Sequence, residues 1–484
     1  MHTDTIEGTP ISCSQAGELA AAFGRERANR IARNAVTSAD VHKAARSPIT
    51  MRTYTDTFGV SLPAAKTVCN QRQSGRCWMF ATLNVLRARM LRTLDVNDFE
   101  FSQTYGMFYD KYEKANAYLG NVVATAHLPW DDRTVSWLMQ EGSAAQDGGE
   151  WSFAAALIEK WGVVPKQAMP ETACTKNSRQ MNATLERLLH RDAVALRHAV
   201  ADGVGEDALE ELRQSMLADV HRVLCSCLGE PPLVFDLELE VGEHARVDEA
   251  LVSEGEPAPA AGKKPRRILR EQGLTPQEFA RRYVSFDAAD YVELVHLPAE
   301  GLEFGHAYGI RWFDTVAGAR RLRFLNVPIE RVEQATVASL KAGVPCYMAC
   351  DVSQEHGRAL EDFPGTLALD TMDRESLFGV ELGMSRADML NSRETRFTHA
   401  MTFQGVELAQ DGTPVAWRVE NSWGKDACKD GYLIMSGEWY RLFGGDVVVE
   451  RRFVDEETLR AWDEAPLELH EPWGMLAAAR GIGR

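Results

Sequence analysis

The sequence predicts an α+β fold in more than one structural unit, and three observations carry that prediction. The chain has 484 residues, beyond the roughly 250 to 300 at which a single hydrophobic core stops growing. Up to about residue 230 the apolar positions fall mainly at helical spacing, and beyond residue 285 they gather into short segments rich in Val, Ile, Phe, Tyr and Trp. A helix-rich half and a strand-rich half must bury their apolar faces against one another, so a site would lie between them.

Taken in order, residues 15 to 46 read as helical from Gln15 through Arg46, with few breakers before Pro48, and form an N-terminal arm. Leu83, Leu86 and Met90 continue from Met79 at i+4, i+7 and i+11, which predicts a helix starting near Cys77 and buried along one stripe. Residues 152 to 230 are again helix-rich, with Pro165 and Pro170 marking a loop and Leu185 to Leu228 giving periodic apolar segments. That stretch reads as an all-helical insertion. Residues 252 to 267 (VSEGEPAPAAGKKPRR) mix Pro, Gly, Ala and charge, which predicts an exposed loop. Strands are expected at 290–296, 308–313, 321–326, 345–350, 400–406, 415–421, 431–435 and 446–454.

Composition limits the partners. With 45% apolar and 25% charged residues the chain matches ordinary globular proteins. Its formal net charge of −17 argues against a general nucleic-acid binder and against anionic membrane surfaces. The basic run Lys263-Lys264-Pro265-Arg266-Arg267 is read as a solvated loop in so acidic a chain. The segment Met1 to Glu7 lacks a basic n-region followed by an apolar stretch, and no segment offers about 18 uninterrupted apolar residues. A cytoplasmic location and no membrane partner are therefore expected. Nine cysteines (13, 69, 77, 174, 225, 227, 346, 350 and 428) are few and odd in number for a disulfide framework. Neither Cys225 with Cys227 nor Cys346 with Cys350 has the neighbouring pair that a zinc site needs, so no metal is expected.

The chemistry is carried by three separated blocks. Asn70-Gln71-Arg72-Gln73-Ser74-Gly75-Arg76-Cys77-Trp78 puts a cysteine just after a Ser-Gly turn and at a helix start, where unpaired N–H groups favour thiolate and should lower the thiol pKa. Taken alone, such a cysteine has a plainer reading as a small core residue. Gln71, six residues upstream, can offer a side-chain N–H to a developing oxyanion, and the Cys77 backbone N–H a second. His399, in Thr398-His399-Ala400-Met401, heads a predicted strand and can supply the acid that a leaving amine requires. Asn421, in Glu420-Asn421-Ser422-Trp423-Gly424, ends another strand, where its carbonyl can orient the imidazole. A satisfied surface histidine and a capped strand end are the plainer readings of these two. The chain order Cys, His, Asn, with Trp after both Cys and Asn, favours catalysis.

At these blocks the sequence resembles bleomycin hydrolase and aminopeptidase C, and the arginine before Cys77 separates it from secreted papains. The likeness extends through Phe99 to Gln103, Asp110 to Asn116, Asp147-Gly148-Gly149-Glu150-Trp151, Glu159 to Pro165, Leu228 to Pro232 and Leu325 to Pro328, so it covers nearly the whole chain. The resemblance implies a papain-like core, with a helical domain and a β-barrel-like domain. It divides the chain into an arm at 1–60, a nucleophile-bearing helical domain at 61–170, a helical insertion at 171–285, a β-rich domain carrying His and Asn at 286–462, and a C-terminal arm at 463–484. It implies a cysteine-type aminopeptidase working through an acyl-thioester, with Cys77 as nucleophile, His399 as acid/base, Asn421 as its orienter and Gln71 as oxyanion donor. Trp423 and Ala477 are expected to meet the substrate. No cofactor or metal is implied, the partners are peptides, and self-association into a homohexamer is expected.

One departure stands out. In the family a terminal carboxylate near the position of Ala477 engages the substrate's ammonium, whereas here Ala478 to Arg484 follow. Arg480 and Arg484 would then put positive charge where a substrate ammonium should sit and oppose its binding. The extension is expected to be trimmed to near Ala477, with displacement or obstruction of the cleft as the other outcomes. Displacement would favour endopeptidase-like action. The remaining alternatives are acyl transfer to an amine and a non-catalytic, nucleic-acid-associated hexameric shell using Lys263 to Arg267.

Overall fold

The computed structural model describes residues 8–54, 57–255, 265–354 and 365–482. Its centre is the helix Cys77–Leu94. The expected stripe of Met79, Leu83, Leu86 and Met90 is buried, but so is every residue from Trp78 to Arg87. The one-sided expectation fails because this helix is clamped from opposite sides. The helices Gln103–Thr125 and Trp151–Trp161 pack on one side, and the strands His399–Leu408 and Cys346–Cys350 on the other.

Those strands belong to an eleven-stranded sheet among the described residues. Following its hydrogen bonds, the order is Leu467–His470, Ala307–Ile310, Phe324–Asn326, Tyr291–Val295, Asp446–Glu450, Cys346–Cys350, His399–Leu408, Pro414–Glu420, Tyr432–Ser436 and Thr366–Leu367, with Val60–Ser61 pairing His399–Leu408. Each of the eight expected strand segments overlaps one of these strands. The central ones are buried on both faces, which is why they read as near-continuous apolar runs. His399 faces Cys350 in the antiparallel register, and Thr402 lies opposite both Tyr347 and Glu420. One apolar core fills the space between the helices and the sheet. A second lies under the sheet's other face, around Trp417, Trp439 and Tyr440.

The arm departs from a single helix. It forms Cys13–Arg25, Arg27–Ser38 and Val41–Ala45, broken where Glu26 and Ala39 turn extended. Asp40 caps the third segment by accepting from the Lys43 N–H at 2.9 Å, so a new helix starts rather than the old one continuing. Neither of the first two helices buries a residue, and Leu19, Phe23 and Ile31 stand exposed on them.

The insertion is likewise not all-helical. After the helices Arg179–Ala201 and Glu206–Leu228, the chain forms a three-stranded sheet in the order Phe235–Val241, Arg266–Leu274, Val252–Gly255. The expected loop at 252–267 is thus strand at both ends, because opposite charges line up across these strands, as in Arg270 with Glu238 at 3.1 Å. Lys263 and Lys264 lie outside the described residues. Arg267 is tied to Glu249 and to the carbonyls of Gly242 and Glu243, so it serves this small sheet.

Candidate active site

The turn before Cys77 is held by its own polar groups. Ser74 Oγ donates to the Gln71 carbonyl at 2.7 Å, and Gln71 Nε2 donates to the Ser74 carbonyl at 2.8 Å. Arg76 is buried and donates to Ser74 Oγ, to both carboxylate oxygens of Glu171 and to the Thr175 carbonyl. A planar donor fork satisfied on all sides leaves the turn little freedom. From the other side, the Gly75 N–H donates to Asp147 at 3.0 Å and Trp78 Nε1 to the Asp147 carbonyl at 2.8 Å. Gly149 lies flat on Trp78: a Cβ there would come within 2.5 Å of the indole. Only glycine permits that approach.

Arg76 precedes the helix and makes no side-chain cap, so the Cys77 and Trp78 N–H groups stay available to the sulfur. Helix and strand then bring the sulfur to the histidine. Thr402 Oγ1 donates to the Ala81 carbonyl at 3.2 Å. One helical turn back from Ala81 is Cys77, and two strand residues back from Thr402 is Ala400, steps of about 6 to 7 Å each. The Ala400 backbone N–H accordingly faces the Cys77 thiol.

His399, buried at the head of its strand, places Nε2 2.8 Å from Asn421 Oδ1. An amide oxygen can only accept, so Nε2 carries the proton and Nδ1 is the unprotonated nitrogen. Asn421 is itself fixed: its Oδ1 also accepts from the Ser422 N–H at 2.7 Å, and its N–H donates to the Gly431 carbonyl at 3.1 Å. Trp423 stacks on the imidazole with ring centres 4.9 Å apart and planes 24° apart.

The oxyanion candidate and the histidine's partner are joined through Ser422. The Gln71 N–H donates to the Ser422 carbonyl at 2.7 Å, and Ser422 Oγ donates to Gln71 Oε1 at 2.6 Å. A Gln amide has two N–H donors. One goes to Ser74, and the orientation is set by Ser422. Behind this pair, Arg87 on the Cys77 helix bonds Glu420, which also accepts from Gln404 Nε2 at 2.8 Å.

The electrostatics differ from the expectation of a lowered thiol pKa. Burial pushes the Cys77 thiol up, and the N–H groups of Ala400, Trp78 and Cys77 itself offset this only in part. Nearby Glu150 adds to the upward push. Desolvation of a thiolate outweighs the helix terminus here, so a proton acceptor beside the sulfur is needed to charge it.

The structure therefore brings Cys77, His399, Asn421, Gln71 and Trp423 to one place. Ala477 does not join them as a free end. It is fully buried within the short helix Met475–Ala479, whose last carbonyl accepts from the Phe397 N–H at 2.9 Å. Arg480 also departs from expectation. Rather than leaving charge in the cleft, it is buried among Glu150, Glu293 and Asp446 at 2.5, 2.7 and 2.9 Å. Arg484 lies outside the described residues. Ser422 was absent from the expected site, although its place between Asn421 and Trp423 is a signal in the sequence.

A family model for the Peptidase C1-like family matches residues 10–248 and 263–477. Aminopeptidase C of Listeria innocua is 34% identical over 438 residues, covering 90% of this chain and 92% of that protein. Aminopeptidase C of Lactobacillus delbrueckii is 32% identical over 472 residues, covering 97% and 98%. The crystal structure of PepW from Lactobacillus rhamnosis superposes with a TM-score of 0.87 at 32% identity, covering 98% of this chain and 99% of that one.

Proposed function

The chain belongs to the Peptidase C1-like family, and from that premise we propose how it works: as a cysteine aminopeptidase whose nucleophile is Cys77, with His399 and Asn421 completing the site. The observation that carries this reading is the 2.8 Å bond from His399 to Asn421, made beside a thiol at an uncapped helix start. Nδ1 of His399 takes the thiol proton, and the resulting thiolate attacks the carbonyl carbon of the N-terminal residue. The oxyanion is met by the Cys77 N–H and by the second N–H of Gln71, whose orientation Ser422 sets. His399 then returns its proton to the departing amine, leaving an acyl-thioester that water cleaves by the reverse proton path. Trp423 shields the imidazole from water and keeps its bond to Asn421 dry.

Self-association as a homohexamer in the cytoplasm extends the reading. Its support is the arm, whose helices Cys13–Arg25 and Arg27–Ser38 expose Leu19, Phe23 and Ile31 and bury nothing within one chain. Among the described residues no helix is long and apolar enough to cross a membrane.

The test compares one peptide with a free and with an acetylated amino terminus, in the wild type and in Cys77→Ala. Cleavage of the free form alone, abolished in the variant, is the expected outcome. Equal cleavage of both forms removes the aminopeptidase reading, and cleavage by Cys77→Ala removes the assigned nucleophile.

A further inference from the structure

Beside the site lies a pocket that no step of the peptidase mechanism uses. Glu150, Glu293 and Asp446 come from three separate parts of the chain, all are buried, and one oxygen of each lies within 4.8 Å of the others. Carboxylates so placed repel one another and lose their hydration, so they stay charged only around a cation. Arg480 provides it, with one terminal nitrogen on Glu150 and Glu293 and the other on Asp446. Its guanidinium also lies over Phe324, 4.6 Å from the ring centre, and 5.6 Å from that of Phe397. The fit is a lined slot for a flat cation on a flexible stem.

The slot has more acceptors than Arg480 uses. Asp446 Oδ1 and Arg480 Nε are buried without a partner, and three acids face one cation. Burial and mutual repulsion hold the carboxyls of Glu293 and Asp446 above the usual range, at about 8 and about 7, despite Arg480.

Its location ties it to the substrate. Glu150 follows Gly149, which rests on Trp78, and its charge acts on the Cys77 thiol. Phe397, two residues before His399, bonds the Ala479 carbonyl through its N–H and walls the slot. The segment around Ala479 and Arg480 is thus anchored beside the elements that carry Cys77 and His399, its side chain in the slot and its main chain against Phe397.

We propose that Glu150, Glu293 and Asp446 form a binding pocket for the basic side chain of a peptide substrate, arginine above all, and that Arg480 fills this pocket as an internal stand-in until its segment withdraws or is cut. The substrate role rests on the peptidase reading; the cation-binding role does not.

The test uses Arg480→Ala in the full chain, with two readouts. In a Cys77→Ala background, which removes catalysis, agmatine is expected to raise the melting temperature of Arg480→Ala but not that of the Arg480 protein. N-Carbamoylputrescine, in which a neutral urea replaces the guanidinium of agmatine, is expected to do nothing. With Cys77 present, aminoacyl- and dipeptidyl-coumarins carrying arginine or its neutral isostere citrulline are compared. The arginine-to-citrulline ratio of kcat/KM is expected to rise at least tenfold in Arg480→Ala and to fall again when Glu293→Gln is added. If Arg480→Ala is recovered only unfolded, agmatine during refolding is expected to restore it, and failure to do so counts against the pocket. No agmatine response, or a ratio within twofold of wild type for both substrate lengths, overturns the proposal. Loss of all turnover in the wild type would instead strike the peptidase reading and leave the thermal readout standing.

Discussion

Arg87, ten residues along the helix that Cys77 begins, is salt-bridged to Glu420, the residue before Asn421, and both side chains are almost wholly buried. This pair bolts the Cys77 helix to the strand that leads into Asn421. Separating one member leaves an uncompensated charge in a dry interior, which costs about 3–5 kcal/mol. Glu420→Gln is therefore expected to lower unfolding stability by about that much in urea titrations. Adding Arg87→Met should recover part of it. Two independent, additive losses would show that the pair is not coupled.

The bond from His399 to Asn421 fixes which imidazole nitrogen carries the proton. Asn421→Ala is expected to reduce kcat/KM by roughly 10²-fold or more, by analogy with loss of the orienting residue in other triads. Iodoacetamide alkylation of Cys77 across pH should slow near neutrality in the variant. An unchanged alkylation profile would remove Asn421 from the thiolate's activation.

Gln71 is held in place by Ser422 and Ser74 rather than by packing alone. Gln71→Ala is expected to lower kcat by roughly 10²- to 10³-fold with little change in KM, as loss of one oxyanion donor does. Ser422→Ala, which frees the amide without deleting it, should give a smaller loss. A change confined to KM would mean that Gln71 binds substrate rather than the transition state.

The acids around Arg480 set a pH dependence. Burial raises the folded-state values of Glu293 to about 8 and Asp446 to about 7, from 4.5 and 3.8. Between those limits the folded protein holds more protons than the unfolded chain, so this cluster's contribution to stability declines as pH rises. The melting temperature of Cys77→Ala is expected to fall between about pH 5 and pH 8, and Glu293→Gln should flatten that slope. A slope that Glu293→Gln leaves unchanged would mean that Arg480 keeps all three carboxylates charged throughout.

Much of this was legible in the sequence where the signal is local. Tyr291–Val295, Cys346–Cys350 and Tyr432–Ser436 are buried on both faces and so read as near-continuous apolar runs, broken in the first by Glu293. Cys77, His399 and Asn421 were found because each sits at the end of an element, beside recognisable neighbours. The small sheet is masked in the sequence although Phe235-Asp236-Leu237-Glu238-Leu239-Glu240-Val241 alternates openly, since long helices precede it and a Pro-rich stretch interrupts it. The thiol's pKa was misjudged because a helix start is visible in sequence and the depth of burial is not. Arg480 could not be paired at all. Its partners stand 34, 187 and 330 residues away, and ion pairs over such separations leave no periodicity.

Those same separations impose an order of events during synthesis. Glu150, Glu293 and Asp446 leave the ribosome before the one cation that reconciles them. At about 5 to 20 residues per second, the oldest waits on the order of tens of seconds for Arg480. Until then the acids hold protons or keep their pocket open to water, so the nascent enzyme carries its strand order and its thiol in an unlatched form. Arg480 closes that interval, and the cleft sets around Cys77 late in the chain's making.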